Sequence, residues 1–238
     1  MSYWQGVRYL IWNEIRKARW RNIFFVIIIA YTALFTYREM EGIILGKEFS
    51  SFLIDYLCIM MFAVLGLTIG SVYGFGFKKD LLSERLSYWR SLPIKIDQIV
   101  WARLITTTIT GFLAVVAYYY LVAIGINLNG HSIDVGAFAL HGLTTYAISF
   151  VFTAMYLFFE LGMIYKKYLL YSWIKPFVLV AIILTYSITW KFSLLEKIYE
   201  AVQQAPLVMA GASIVLIIAT FLLAFRLINE KVRLRNIL

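Results

Sequence analysis

The sequence predicts an all-α, polytopic integral membrane protein with six transmembrane helices, and three observations carry that prediction. The first is composition. Of 238 residues, 62% are hydrophobic and only 15% are charged, with a mean hydropathy of +0.80. A soluble domain is about half apolar and about a quarter charged, so this chain has too little polar surface to cover a water-soluble globule. The second is the recurrence of apolar runs near the roughly 20 residues that a helix needs to cross a bilayer core. The third is the placement of basic residues, which gather beside alternate ends of those runs.

Taken in order, the chain begins with a segment whose Trp4, Val7, Ile11, Ile15 and Ala18 recur at helical spacing against Arg8, Glu14, Lys17 and Arg21. This reads as an interfacial amphipathic helix over residues 1–21, apolar and aromatic on one side and charged on the other. It precedes the first apolar run by too many polar residues to be a cleaved signal, and no A-x-A site follows. The six spans are Asn22–Met40, Ser51–Phe77, Leu104–Ile126, Ala137–Ile164, Trp173–Trp190 and Leu207–Ile228. With both termini cytoplasmic, 18 of the 22 Lys and Arg residues fall inside the cell. Arg38, Lys47, Lys191 and Lys197 alone lie outside. The expected organisation is one membrane domain over residues 1–238, with a six-span bundle over 22–228 and a cytoplasmic tail over 229–238.

Between spans two and three lies the most charged segment, FKKDLLSERLSYWRSLPIKIDQIVWARL. Asp80 is placed to cap a short helix whose Leu81, Leu82, Leu86 and Trp89 form an apolar stripe beside Lys79, Ser83, Glu84 and Arg90. Ser91-Leu92-Pro93 ends it, because the residue before proline is pushed out of the α region. Asp97 is then placed to cap the helix entering span three. Outside, Leu194, Leu195, Ile198 and Val202 predict a further short amphipathic helix between spans five and six.

Chemistry is sparse. The net charge of +9 is explained by topology and anionic lipid rather than by nucleic acid, since the basic residues sit beside apolar runs. Cys58 is the one cysteine, so an intrachain disulfide is excluded. Two segments resemble phosphate-binding loops without meeting the requirement. Gly42–Glu48 (GIILGKE) is one residue short between its glycines, and Gly125–Ser132 (GINLNGHS) has His131 where the lysine belongs. His131 and His141 form no H-E-x-x-H motif and read as surface or interface residues. No catalytic, metal or cofactor site is expected. The intramembrane acids Asp55 and Glu160 are candidate pathway residues, with structural pairing, for Glu160 near Lys166, as the competing role. Gly66, Gly70 and Gly74 make a doubled G-x-x-x-G row for close helix packing. Tyr118, Tyr119 and Tyr120 ring the third span, as a cavity wall or as ordinary packing.

Six spans, cytoplasmic termini, a leading amphipathic helix and a capped helix between spans two and three resemble the ATP-binding cassette type-2 permeases. The local likeness lies in Leu82-Ser83-Glu84-Arg85, Arg90-Ser91-Leu92-Pro93 and Gln98-Ile99-Val100, where an acidic-basic pair precedes a Leu-Pro turn and the helix entering span three. The chain departs from the family pattern at Leu86-Ser87, where that pattern has Gly-Thr. The resemblance implies that Asp80, Glu84, Arg85, Leu86, Trp89, Arg90, Leu92 and Pro93 form a coupling helix pressed on a separate cytoplasmic ATPase subunit. That subunit would hold the ATP and magnesium, so this chain is expected not to be an enzyme. It further implies a second permease copy, identical or related, and export of a hydrophobic or amphipathic cargo such as a peptide, lipid or drug. A non-transporting membrane protein (an immunity, anchoring or sensory subunit) would share the spans and charge bias without an ATPase.

Overall fold

The computed structural model describes residues 2–17, 19–45, 52–68, 81–190 and 193–234. Among these residues the protein is all-helical. Its elements are α1 (Tyr3–Lys17), α2 (Arg19–Ile44), α3 (Phe52–Thr68), α4 (Leu81–Ser91), α5 (Ile96–Leu128), α6 (Val135–Gly162), α7 (Tyr165–Trp190), α8 (Leu194–Gln204) and α9 (Pro206–Leu234). Four of them, α5, α6, α7 and α9, are long and apolar enough to cross a membrane, and a shorter apolar stretch, Ile54–Val64, lies in α3.

The ends of these helices follow local chemistry. The Asp134 carboxylate caps α6 by accepting from the amides of Gly136 at 2.9 Å and Ala137 at 3.2 Å. Pro206 opens α9, where a missing amide costs nothing. The Leu-Pro stop works as expected: α4 ends at Ser91, and Pro93 separates it from α5. The next cap differs from expectation. Lys95 is the N-cap of α5 and its amide donates to the Gln98 side chain at 2.7 Å, so the helix starts before Asp97, which lies in the first turn. An acid there still suits the positive end of the helix.

Cross-helix contacts fix the directions. Thr36 meets Tyr118 and Glu41 meets Asn129, so α2 and α5 run parallel. Tyr146 reaches the Thr108 carbonyl and Arg103 reaches Glu160, so α6 returns beside α5. Ser213 bonds Thr144 near the start of α6, and Lys231 crosses Gly162 at its end, so α9 runs parallel to α6. One end of the bundle therefore carries α1 and α4, and the other carries α8.

Helix α6 is the most enclosed, and α7 and α9 are largely exposed. An apolar cluster occupies each end. At the α8 end it joins Ile29, Phe62, Val122, Phe150 and Leu195; at the α1 end it joins Val7, Leu86, Ile99, Leu157 and Ile228. Close approach of α5 and α6 depends on Gly142, where an added Cβ would lie 3.2 Å from the Tyr119 ring.

Candidate functional site

The α1 end holds a buried charge cluster that joins three helices. Arg103 of α5 donates through Nη2 to both Glu160 oxygens at 2.8 Å each, and through Nη1 to Glu14 Oε2 at 3.1 Å. Their side chains are 1%, 2% and 4% exposed. The guanidinium suits this position, since one terminal nitrogen reaches both oxygens of one carboxylate and the other is left to donate to a second. Glu160 lies in the last turn of α6, where the helix dipole is itself unfavourable to an anion, so the cation beside it meets a local need.

Glu14 brings α1 into the bundle. The sequence placed Glu14 on the polar face of that helix; the structure buries it together with Val7 and Leu10, and leaves Trp4, Trp12 and Ile15 exposed. The helix is apolar on two sides, and the side that faces the bundle tolerates an acid because Arg103 receives it. Gln98 adds a second tie, donating to the Tyr3 carbonyl at 2.6 Å. Gly6 allows this approach, since a Cβ there would meet the Gln98 amide at 3.0 Å. Burial pushes the Tyr3 phenol up to about 12, with the neighbouring Asp97 carboxylate adding to the shift.

Helix α4 sits at the same end. Leu86 and Trp89 turn inward and are buried, in the cluster that includes Val7 and Leu10 of α1, Ile99 of α5 and Leu157 of α6. Glu84, Tyr88 and Ser91 face outward, and Leu92 is half-buried beside the exposed Pro93. Asp80 lies outside the described residues, as do the side chains of Arg85 and Arg90. Gly66 lies in α3 with its surroundings outside the described residues, and Gly70 and Gly74 lie outside them altogether.

The α8 end is held by polar contacts of a different kind. Asp55, 0% exposed in α3, accepts from the Ser193 hydroxyl and the Leu194 amide at 2.6 Å each and from the Leu195 amide at 3.1 Å. It thus satisfies the free amides at the start of α8 from another helix. His141 is fully buried, contrary to the expectation of a surface or interface residue. Its Nε2 donates to the Leu195 carbonyl at 3.0 Å, which leaves Nδ1 to accept from the Tyr119 hydroxyl at 2.9 Å. Burial is tolerated because both ring nitrogens find partners. Tyr118 is buried against Thr36, at 2.5 Å, and Cys58, whereas Tyr120 is exposed. His131 stays at the surface beside Glu41, 3.4 Å away. In the GINLNGHS segment, Gly125 to Leu128 continue α5, and Asn129 and Gly130 form the turn, Gly130 at φ 83°.

The two acids expected within spans are therefore both engaged by the protein, Asp55 by α8 and Glu160 by Arg103. Arg103 is the residue that sequence reasoning missed, since it entered there only as one of the cytoplasmic-side basic residues. The signal was present: Ile99, Arg103, Thr106 and Thr110 share one helical face with buried neighbours. What this end offers is mechanical linkage, with α1, α4, α5 and α6 meeting in one apolar and ionic junction. Comparison with known protein families, with curated proteins and with solved structures finds no match to this chain.

Proposed function

We propose that this protein is the transmembrane permease subunit of an ATP-driven exporter of the ATP-binding cassette type-2 class. In this reading α2, α3, α5, α6, α7 and α9 are six spans. The α1 end is cytoplasmic, and the exposed Lys166, Lys167 and Arg233 there accord with the positive-inside rule. ATP is hydrolysed on a separate chain, and a second permease copy completes the pathway. The cargo is hydrophobic or amphipathic, since no described outer segment is large enough to handle a bulky polar one.

The observation that carries the reading is the seating of α4. Helix α4 packs on α6 and α7, with Leu86 and Trp89 buried in the apolar cluster at this end, while Glu84 and Tyr88 remain exposed on the other side. A partner pressing on that outer side would push an element whose inner face is anchored on α6 and α7. Interfaces and packed cores switch between discrete arrangements rather than deforming smoothly, so such a contact suits a two-state transporter.

The test is affinity purification of the full chain from its own membranes in mild detergent. A stoichiometric soluble protein with a Walker ATPase motif is expected, and it should be lost with Glu84→Lys combined with Tyr88→Glu. Repeated recovery of the chain without any ATPase would sink the proposal and favour a non-transporting membrane protein.

A further inference from the structure

Lys175 is a charged residue without a charged partner among the described residues. Its Nζ is enclosed and makes no hydrogen bond there, lying instead over the rings of Tyr156 at 3.7 Å and Phe159 at 4.1 Å, both on α6. Three residues earlier on the same face of α7, the Ser172 hydroxyl is also enclosed without a hydrogen-bond partner among those residues. An ammonium and a hydroxyl one turn apart on α7 are thus each enclosed without a hydrogen-bond partner among the described residues. Aromatic faces attract a cation, but they do not replace the hydration that an enclosed ammonium gives up.

Phe159 connects this polar spot to an apolar one. On α6 it also lines a groove of about 390 Å³ with Val151, Met155 and Phe158, closed by Leu223 and Leu227 of α9. The groove runs from the α1 end, near Phe159 and Leu227, toward the middle of the bundle. It is within the size range of small-molecule sites and almost wholly apolar. A polar anchor at the end of the bundle and an apolar channel leading inward from it match a lipid in one leaflet, headgroup outward and chain toward the bilayer centre.

We propose that this surface binds an anionic phospholipid of the leaflet at the α1 end. Its phosphate accepts from Lys175 Nζ and the Ser172 hydroxyl, and an acyl chain lies in the α6–α9 groove. Lys166 and Lys167, exposed at the start of α7, draw anionic lipid toward this end without forming the site. The proposal does not depend on transport and would hold for a non-transporting protein as well.

Native mass spectrometry of the full chain in detergent, supplied with limiting phosphatidylglycerol or phosphatidylcholine, tests it. One tightly held phosphatidylglycerol per chain is expected, preferred over phosphatidylcholine by roughly fivefold or more, the scale set by one lysine near anionic lipid. Lys175→Met should abolish the preference and Lys175→Arg should keep it, while Lys166→Gln with Lys167→Gln should leave it intact. Leu223→Trp, at an exposed position that does not threaten folding, should weaken retention by filling the groove. Excess inorganic phosphate should not displace the lipid. The proposal is overturned by a wild-type chain without preference, by retention in Lys175→Met, by an unaffected Leu223→Trp, or by full displacement with phosphate, which would make the ligand a free anion.

Discussion

Removing Arg103 should unfold this protein more effectively than removing any other single surface or core charge. Arg103→Met keeps much of the side-chain volume but leaves Glu14 and Glu160 enclosed beside each other without their cation. Breaking a buried ion pair by deleting one partner costs about 3–5 kcal/mol. For a chain of this length each kcal/mol moves the midpoint by roughly 2–4 °C, so the loss should be roughly 6–20 °C. The two acids should not be equal. Arg103 lies closer to Glu160, at 2.8 Å, than to Glu14, at 3.1 Å, so Glu160→Gln should weaken the Arg103 contact more than Glu14→Gln and lower the midpoint further. The triple change Arg103→Met, Glu14→Gln, Glu160→Gln removes the charges of all three groups together and should recover most of the stability, because replacing buried, paired charges as a set is often nearly neutral. Intrinsic tryptophan fluorescence during heating in detergent reads the midpoint, and the seven tryptophans provide the signal. The reasoning fails if Arg103→Met alone melts with the wild type, or if the triple variant melts no higher than Arg103→Met.

Two further predictions concern the opposite end and the leading helix. Asp55→Leu removes the acceptor for three donors at the start of α8, and loss of a cap costs about 1 kcal/mol or more. With Val202→Cys as a reporter at a buried position of α8, maleimide labelling should be slow in the parent and fast with Asp55→Leu, while the buried Cys58 stays unlabelled; equal rates would show that Asp55 does not hold α8. Docking of α1 should weaken in alkali. The Tyr3 phenol is held protonated up to about 12 in the folded chain, above its ordinary value, so its contribution is complete below the ordinary tyrosine range and is lost as pH rises through about 12. The phenolate absorbance of wild type minus Tyr3→Phe should titrate in that window, and a difference curve at the ordinary tyrosine value would contradict the burial of Tyr3.

Much of this architecture was legible because local rules decide it. Spacing of Leu194, Leu195, Ile198 and Val202 announced α8, and Ser91-Leu92-Pro93 announced the break between α4 and α5, since helix periodicity and proline sterics act over a few residues. Span ends were less accurate: α7 begins at Tyr165 rather than Trp173, because Lys166 and Lys167 sit comfortably in a helix that extends past the apolar run. The candidate site was the least legible part. Glu14 and Arg103 are 89 residues apart, and Asp55 meets Ser193 across 138. Charge counting took Arg103 as a topology signal and Glu14 as part of a polar face, because composition registers a charge without registering its partner. The glycine row at Gly66, Gly70 and Gly74 gave a packing expectation that falls largely outside the described residues.

The junction at Arg103 also sets an order of events during synthesis. Glu14 is made early, its cation follows 89 residues later, and the second acid follows that by a further 57. At ~5–20 residues per second, the first helix waits roughly 7–29 seconds before both its cation and the second acid exist. Until then Glu14 has no cation to receive it, and an unpaired acid favours water over an apolar interior. The acid that later locks the bundle therefore also keeps the helix from burying itself too soon.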